Sequence, residues 1–271
     1  MDAEGPAAPA DQGHAPYTQP TPRHLYVHDD LSELVRARAG PDSEAGRLAR
    51  ALLDLMAADR ERVRVLTLDE QVASVVAQGP HAPFPLALGI GRAGVRVAGA
   101  LHARTGWFPA VRELLLTREE DGHGAYRLIA TGPATLAEQL DGLGALPSLA
   151  VVDDTVFSGL TLGSVLEALP RPLRARTHAF CLRGVAESVA RLARRCPVTV
   201  GVAAPGRILD DVSFINASGL VLRVAIRRPG RPPLGFLDRP EWIRAWFPRN
   251  ADAVLDLCRR LNALLEPAVG A

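Results

Sequence analysis

Hydrophobic positions along this chain switch repeatedly between two spacings. Pro85-Leu86-Ala87-Leu88-Gly89-Ile90 is a short, nearly continuous apolar run, and Val95 to Arg104 then follows helical spacing until Gly106 closes it. Leu149 to Val152 is a second apolar run. It ends in Asp153-Asp154, a small hydroxyl-bearing loop follows, and Leu162, Val165, Leu166 and Leu169 then recur at helical spacing up to Pro170. From Phe84 to Leu182 the order reads strand, helix, strand, hairpin, strand, helix, strand; residues 185–195 add a helix and Val198 to Ala203 a strand. This alternation predicts an α/β fold, a doubly wound and mainly parallel sheet, with ligands beyond the carboxyl ends of its strands.

The flanks have a different texture. Residues 1–22 are rich in Ala, Pro, Gly, Asp and Gln without periodicity and read as a disordered leader. Residues 23–271 then form one domain, with a core at about 84–204 and flanks at 23–83 and 205–271. Asp42-Ser43 can cap a helix whose apolar face is Leu48, Leu52, Leu55 and Met56; Val63 to Leu68 suits a strand and Asp69 to Val76 a helix. Val212 to Ile226 is β-rich, Arg227 to Pro233 reads as a connector, and Asn250 is placed to cap a last amphipathic helix. Trp242 and Trp246 share one helix face, read first as core and second as a stacking surface for a ligand.

The chemistry concentrates in Val151-Val152-Asp153-Asp154 and Ser158-Gly159-Leu160-Thr161. A loop at a helix N-terminus offers unpaired backbone N–H groups to a phosphate. Two carboxylates just upstream suit hydroxyls, or a metal bridging hydroxyls to phosphate. A sugar phosphate with vicinal hydroxyls meets both demands. The pattern resembles the phosphoribosyl-pyrophosphate (PRPP) motif of the type I phosphoribosyltransferases.

That resemblance implies a role for each position. Asp153 and Asp154 would take the ribose hydroxyls, and through PRPP-bound Mg2+ would also serve the metal indirectly. Thr155, Val156, Phe157, Ser158, Gly159, Leu160 and Thr161 would form the phosphate cradle. Gly91, Arg92, Ala93 and Gly94 would hold pyrophosphate, with Arg92 as the charged fork and a non-proline cis peptide between Gly91 and Arg92. A mobile hairpin with Arg118 and His123 would close over the donor, and a variable hood from the flanks would select the acceptor. Thr155 and Phe157 depart from the usual motif, which commonly has an aliphatic residue at the first position and Thr, Ala or Asp at the second. Phe157 and Trp242 are the acceptor candidates.

Composition narrows the partners. Arg totals 31 with no Lys, against 30 acidic residues, so nothing favours nucleic acid or an anionic membrane. Cationic phosphate contacts must therefore come from Arg or protonated His. The 3 cysteines, Cys181, Cys196 and Cys258, are widely spaced and suggest free thiols in a reducing compartment. No signal peptide or spanning segment is legible, which makes the cytoplasm the expected location.

The resulting expectation is transfer of 5-phosphoribose from Mg-PRPP to a small-molecule acceptor, releasing pyrophosphate. The resemblance also leaves room for a homodimer. The resemblance further implies that, lacking the Asp which purine-salvage members of the family carry at position 157, the site does not take a 6-oxopurine. An amino sugar held by Asp210, Asp211, Asp238 and Glu241 is one acceptor reading, and pyrimidine or adenine salvage is another. A PRPP-sensing regulator without transferase activity is the rival of a different class.

Overall fold

The protein's computed structural model describes residues 20–79, 81–120 and 126–266. Most of the expected leader and all of the hairpin tip, including His123, lie outside these residues. The first segment runs β1 (His24–His28), α1 (Leu31–Arg38), α2 (Glu44–Met56), β2 (Val63–Leu66) and α3 (Leu68–Val76). Its caps follow the sequence: the Ser43 side chain accepts from Gly46 N, and Thr67 with Glu70 forms a capping box.

The central segment runs β3 (Ala87–Ile90), α4 (Gly91–Thr105), β4 (Val111–Leu114), β5 (Leu116–Glu120), β6 (Tyr126–Ala130) and α5 (Leu136–Leu140), then β7 (Leu149–Val156), α6 (Leu160–Ala168), α7 (Arg171–Arg174), β8 (Thr177–Val185), α8 (Ala186–Ala193) and β9 (Val198–Ala204). Five of its strands form one parallel sheet in the order β4-β3-β7-β8-β9. Side chains alternate across the strands, so each face has its own core. Val151 and Cys181 pack with Leu162, Val165 and Leu192 under α6 and α8, whereas Val152, Phe180 and Leu182 pack with Val72, Val97 and Leu101 under α3 and α4. The expected doubly wound sheet is present. The hairpin of β5 and β6 stands apart as an antiparallel pair.

The last segment adds β10 (Val212–Asn216), β11 (Ile226–Arg228), β12 (Arg231–Leu234), α9 (Pro240–Trp246) and α10 (Ala251–Leu265). Here the sequence reading needs three corrections. The β-rich stretch supplies only β10 before a 3-10 turn at Ala217–Leu220; the expected connector is a hairpin of β11 and β12; and Asn250 makes no side-chain cap. Its amide instead donates to Leu55 O at 2.7 Å, tying α10 to α2.

Residues far apart in the chain then meet. β10, β1 and β2 form a second parallel sheet in that order, with β1 central. Leu25, Val27 and Ile215 face a core shared with α1, α2, α9 and α10, while Tyr26, Leu66 and Val212 face Val185 and Ala204 at the carboxyl ends of β8 and β9. The second sheet therefore lies against the end of the first.

Candidate functional site

Strand order locates the crevice. In the order β4-β3-β7-β8-β9 the chain winds outward in opposite directions from β3 and β7. That reversal, at the carboxyl ends of the two strands, is where a doubly wound sheet binds ligands. Gly91–Gly94 follows β3 and Phe157–Thr161 follows β7, so the two sequence-selected loops meet there.

Gly91–Gly94 is not a free loop. It is the first turn of α4, entered through Gly91 at φ 56°, and its peptide bonds are trans, which corrects the expected cis link at Arg92. Gly94 serves packing: a Cβ there would collide with the Val152 carbonyl oxygen and lie 2.9 Å from Gly89 C. Arg92 and Ala93 are exposed and available to a ligand.

β7 continues through the acidic pair to Val156, later than the apolar run suggests. Ser158 and Gly159 make the turn, and Gly159 at φ 78° requires the left-handed conformation that glycine adopts without strain. The first N–H groups of α6 have no intrahelical acceptor. Ser158 Oγ accepts from Leu160 N at 3.3 Å. Arg191, on α8, braces the turn from outside by donating to Ser158 O at 2.9 Å. Arg118, Asp153, Thr155 and the loop to Leu162 line one small recess. The expected cradle, Asp153 and Arg118 are thus brought together, while the Asp154 carboxylate is engaged by Arg183 and does not line the recess.

Phe157 turns away from any polar role. Its ring lies 6.3 Å from Phe214 on β10, beside the cluster of Tyr26, Leu66 and Val212, so it packs the loop against the second sheet. Trp242 is buried in the outer core with Phe236 and Trp246, so the structure places it in packing. The four acids suggested for a cationic acceptor are not gathered at the crevice either. Asp210 and Asp211 precede the amino end of β10 and pair with Arg207, while Asp238 accepts from Gly235 N and pairs with Arg223. Glu241 lies in the first turn of α9.

The two adjacent acids differ sharply. Asp153 is buried, and its Oδ1 accepts from Asp154 N at 2.8 Å. Burial first, and the neighbouring Asp154 charge second, push the Asp153 carboxyl well above the usual range. Burial also acts to raise Asp154, but Arg183 and other nearby groups outweigh it and hold that carboxyl below the usual range.

Arg183 is the residue the sequence reading missed. It sits on β8 at 1% exposure and donates through Nη2 to Asp154 Oδ2 at 3.1 Å and Asn216 Oδ1 at 2.7 Å, and through Nη1 to Gln71 Oε1 at 3.1 Å. Gln71 Nε2 lies 2.9 Å from His28 Nδ1, and Arg96 Nη2 lies 3.1 Å from His28 Nε2. Arginine can only donate, so His28 Nε2 presents its lone pair to Arg96 and the proton of the neutral ring sits on Nδ1. Gln71 Nε2, which donates to Thr67 O at 2.9 Å, is then a close contact of Nδ1 and not its hydrogen-bond partner. Burial and the Arg183 charge lower the His28 pKa to about 3, leaving the ring neutral. The signal for Arg183 was present: one charge within Phe180-Cys181-Leu182-Arg183-Gly184-Val185 needs a buried partner.

Among the described residues no cluster of three or more His, Cys, Asp or Glu could hold a metal ion by itself. The acidic pair fits a different arrangement, in which Mg2+ arrives on ligand oxygens and keeps several waters. No helix among the described residues is long and apolar enough to cross a membrane.

No protein-family profile matches the chain, and no curated protein does. Among solved structures it is similar to a purine phosphoribosyltransferase from Pyrococcus horikoshii, at 15% identity and TM-score 0.36, over 54% of this chain and 87% of that one. An adenine phosphoribosyltransferase from Thermoanaerobacter pseudethanolicus matches at 12% identity and TM-score 0.33, over 56% and 86%. An orotate phosphoribosyltransferase from Aeropyrum pernix matches at 17% and 0.28, over 57% and 70%. Overlaps this low decide nothing about function, and the functional reading rests on the residues themselves.

Proposed function

We propose that this protein transfers 5-phosphoribose from Mg-PRPP to a small-molecule acceptor and releases pyrophosphate. One observation carries the reading: the acidic pair at the carboxyl end of β7 runs directly into the open N-terminus of α6, at the sheet's point of reversal. The α6 amides, Ser158 and Thr161 hold the 5-phosphate. Asp153 and Asp154 orient the ribose hydroxyls close to the positive charge that develops at the anomeric carbon. Arg92 and the first turn of α4 receive the departing pyrophosphate. Mg2+, when bound, neutralises pyrophosphate oxygens. Arg118 reaches the recess from β5, where the hairpin would limit access of water as a competing acceptor.

The second sheet supplies the acceptor side, and His28 and Asn216, paired in register, mark its nearest edge. With Phe157 packed on Phe214, position 157 itself offers no carboxylate to the ring N–H of a 6-oxopurine. Asp210, Asp211 and Asp238 are engaged by Arg207 and Arg223, so none of these three is set aside for an amino-sugar acceptor. A pyrophosphate-release assay with Mg-PRPP and a panel of purine, pyrimidine, amine and hydroxyl acceptors tests the reading. Release that depends on one acceptor class supports transfer. Tight Mg-PRPP binding with no release across the panel supports the PRPP-sensing alternative, and absence of binding defeats both.

A further inference from the structure

We infer that Arg183 is a positioning residue which couples donor binding to the second sheet through Asn216. The inference rests on reading Asp154 as a ribose ligand. A guanidinium buried in mid-sheet is expensive, and an apolar residue of similar volume would suit β8 at least as well for stability. The burial is also imperfect, because Arg183 Nε is enclosed with no acceptor. Its partners come from three separate elements: Gln71 from α3, Asp154 from β7 and Asn216 from β10.

A single nitrogen, Nη2, serves both Asp154 and Asn216. The guanidinium is a rigid planar fork, so a shift of Asn216 rotates the donor that fixes Asp154. With Arg183 donating to Oδ2 and the Thr155 hydroxyl also bonded to the carboxylate, Asp154 keeps acceptor lone pairs for a ribose hydroxyl. Asn216 is also the register partner of His28, and His28 reaches Gln71, the third partner of the same guanidinium. Movement of the second sheet against the first therefore reaches Asp154 through the hydrogen bond from Arg183 to Asn216, and by side-chain contact through His28 and Gln71. An occupant of the crevice that draws β1 and β10 toward it would change the hold on the donor.

Calorimetric titration of Mg-PRPP into the full chain tests this with Asn216→Ala, which leaves Arg183, Asp154 and the β7 loop in place. The expected result is a Kd about fivefold weaker, the lower end of coupling between linked sites. In an Asp154→Asn background the same Asn216→Ala change should add less than about twofold, because its route to the donor is already cut. A Kd within about twofold of the unsubstituted protein, or an equal loss in both backgrounds, overturns the inference while leaving the proposed function standing. No Mg-PRPP binding by the unsubstituted protein overturns the proposed function and the inference with it. Thermal unfolding of each variant accompanies the titration, so that a loss of folded protein is not counted as a loss of affinity.

Discussion

Asp153 and Asp154 are neighbours in sequence and opposites in environment: only Asp154 is paired with Arg183, at 3.1 Å, while Asp153 is buried against an acid. A charge on Asp154 is therefore supported, whereas a charge on Asp153 is opposed by both its burial and its neighbour.

Asp153→Asn should stabilise the free protein at neutral pH. A carboxyl raised by folding contributes stability that is complete below its unfolded pKa and is lost as pH rises through its elevated folded value. The amide removes that loss, and ~1 kcal/mol would raise Tm by about 2–4 °C in a chain of this size. Thermal unfolding at neutral pH checks it; a lower Tm in the variant would contradict the assignment. Mg-PRPP affinity should fall in the same variant.

The same change one residue on should act in the opposite sense. Asp154→Asn leaves the Arg183 charge buried without its anion, at a cost of about 3–5 kcal/mol when such a pair is broken. It should also weaken Mg-PRPP binding by at least about tenfold, through loss of a charge-assisted contact. Unfolding and calorimetry together separate the two effects.

His28 should remain neutral across the physiological range. Its pKa is lowered to about 3, so its contribution to stability is complete above the unfolded value near 6.5 and is lost as pH falls toward 3. Nuclear magnetic resonance of the ring should show no titration of His28 between about pH 5 and 8. A midpoint inside that window would mean that the contacts with Arg96 and Gln71 are not those described.

Gly94→Ala and Gly99→Ala form a matched pair on α4. The first would press a methyl into the Val152 carbonyl, and overpacking of this kind costs about 1–3 kcal/mol. The second meets nothing within 4 Å, and replacing a mid-helix glycine with alanine gains about 0.5–1 kcal/mol. Denaturant unfolding should move the two midpoints in opposite directions.

Trp242→Ala should lower stability by about 3–5 kcal/mol, the usual loss for a buried tryptophan. Mg-PRPP affinity of the folded protein should be unchanged. A selective loss of acceptor KM at intact stability would instead restore Trp242 to the acceptor site.

The parts of this structure that were legible in sequence are the local ones. Asp153, Asp154, Ser158 and Gly159 lie on one strand, loop and helix, so their spacing reveals the elements and sets the acidic pair ahead of a helix N-terminus. Gly94 was legible as a special position but not for its reason, since its neighbour Val152 comes from a strand far along the chain. Phe157 stood out as unusual, yet only the position of Phe214 explains it. The second sheet was illegible as such because β1 and β10 are paired by tertiary packing alone, and short apolar runs do not name their partners. Asn216 was missed for the same reason, whereas the lone charge of Arg183 in an apolar strand signals a buried partner without naming it.

The placement of β1 between β2 and β10 also sets an order of assembly. Asp30, just beyond β1, hydrogen-bonds Ser218, just beyond β10, across a separation of 188 residues. On the ribosome β1 can join β2 early through the short crossover of α1 and α2, but its other edge stays open until most of the polypeptide has emerged. Throughout that interval the outer core lacks α9 and α10. Contacts this distant slow folding and prolong exposure of an unpaired strand edge. A nascent chain ending at Ala204 would contain the whole five-stranded sheet, yet present an uncapped β1 to any other strand it met. Completion of the C-terminal segment thus decides whether this polypeptide closes on itself or pairs with a neighbour.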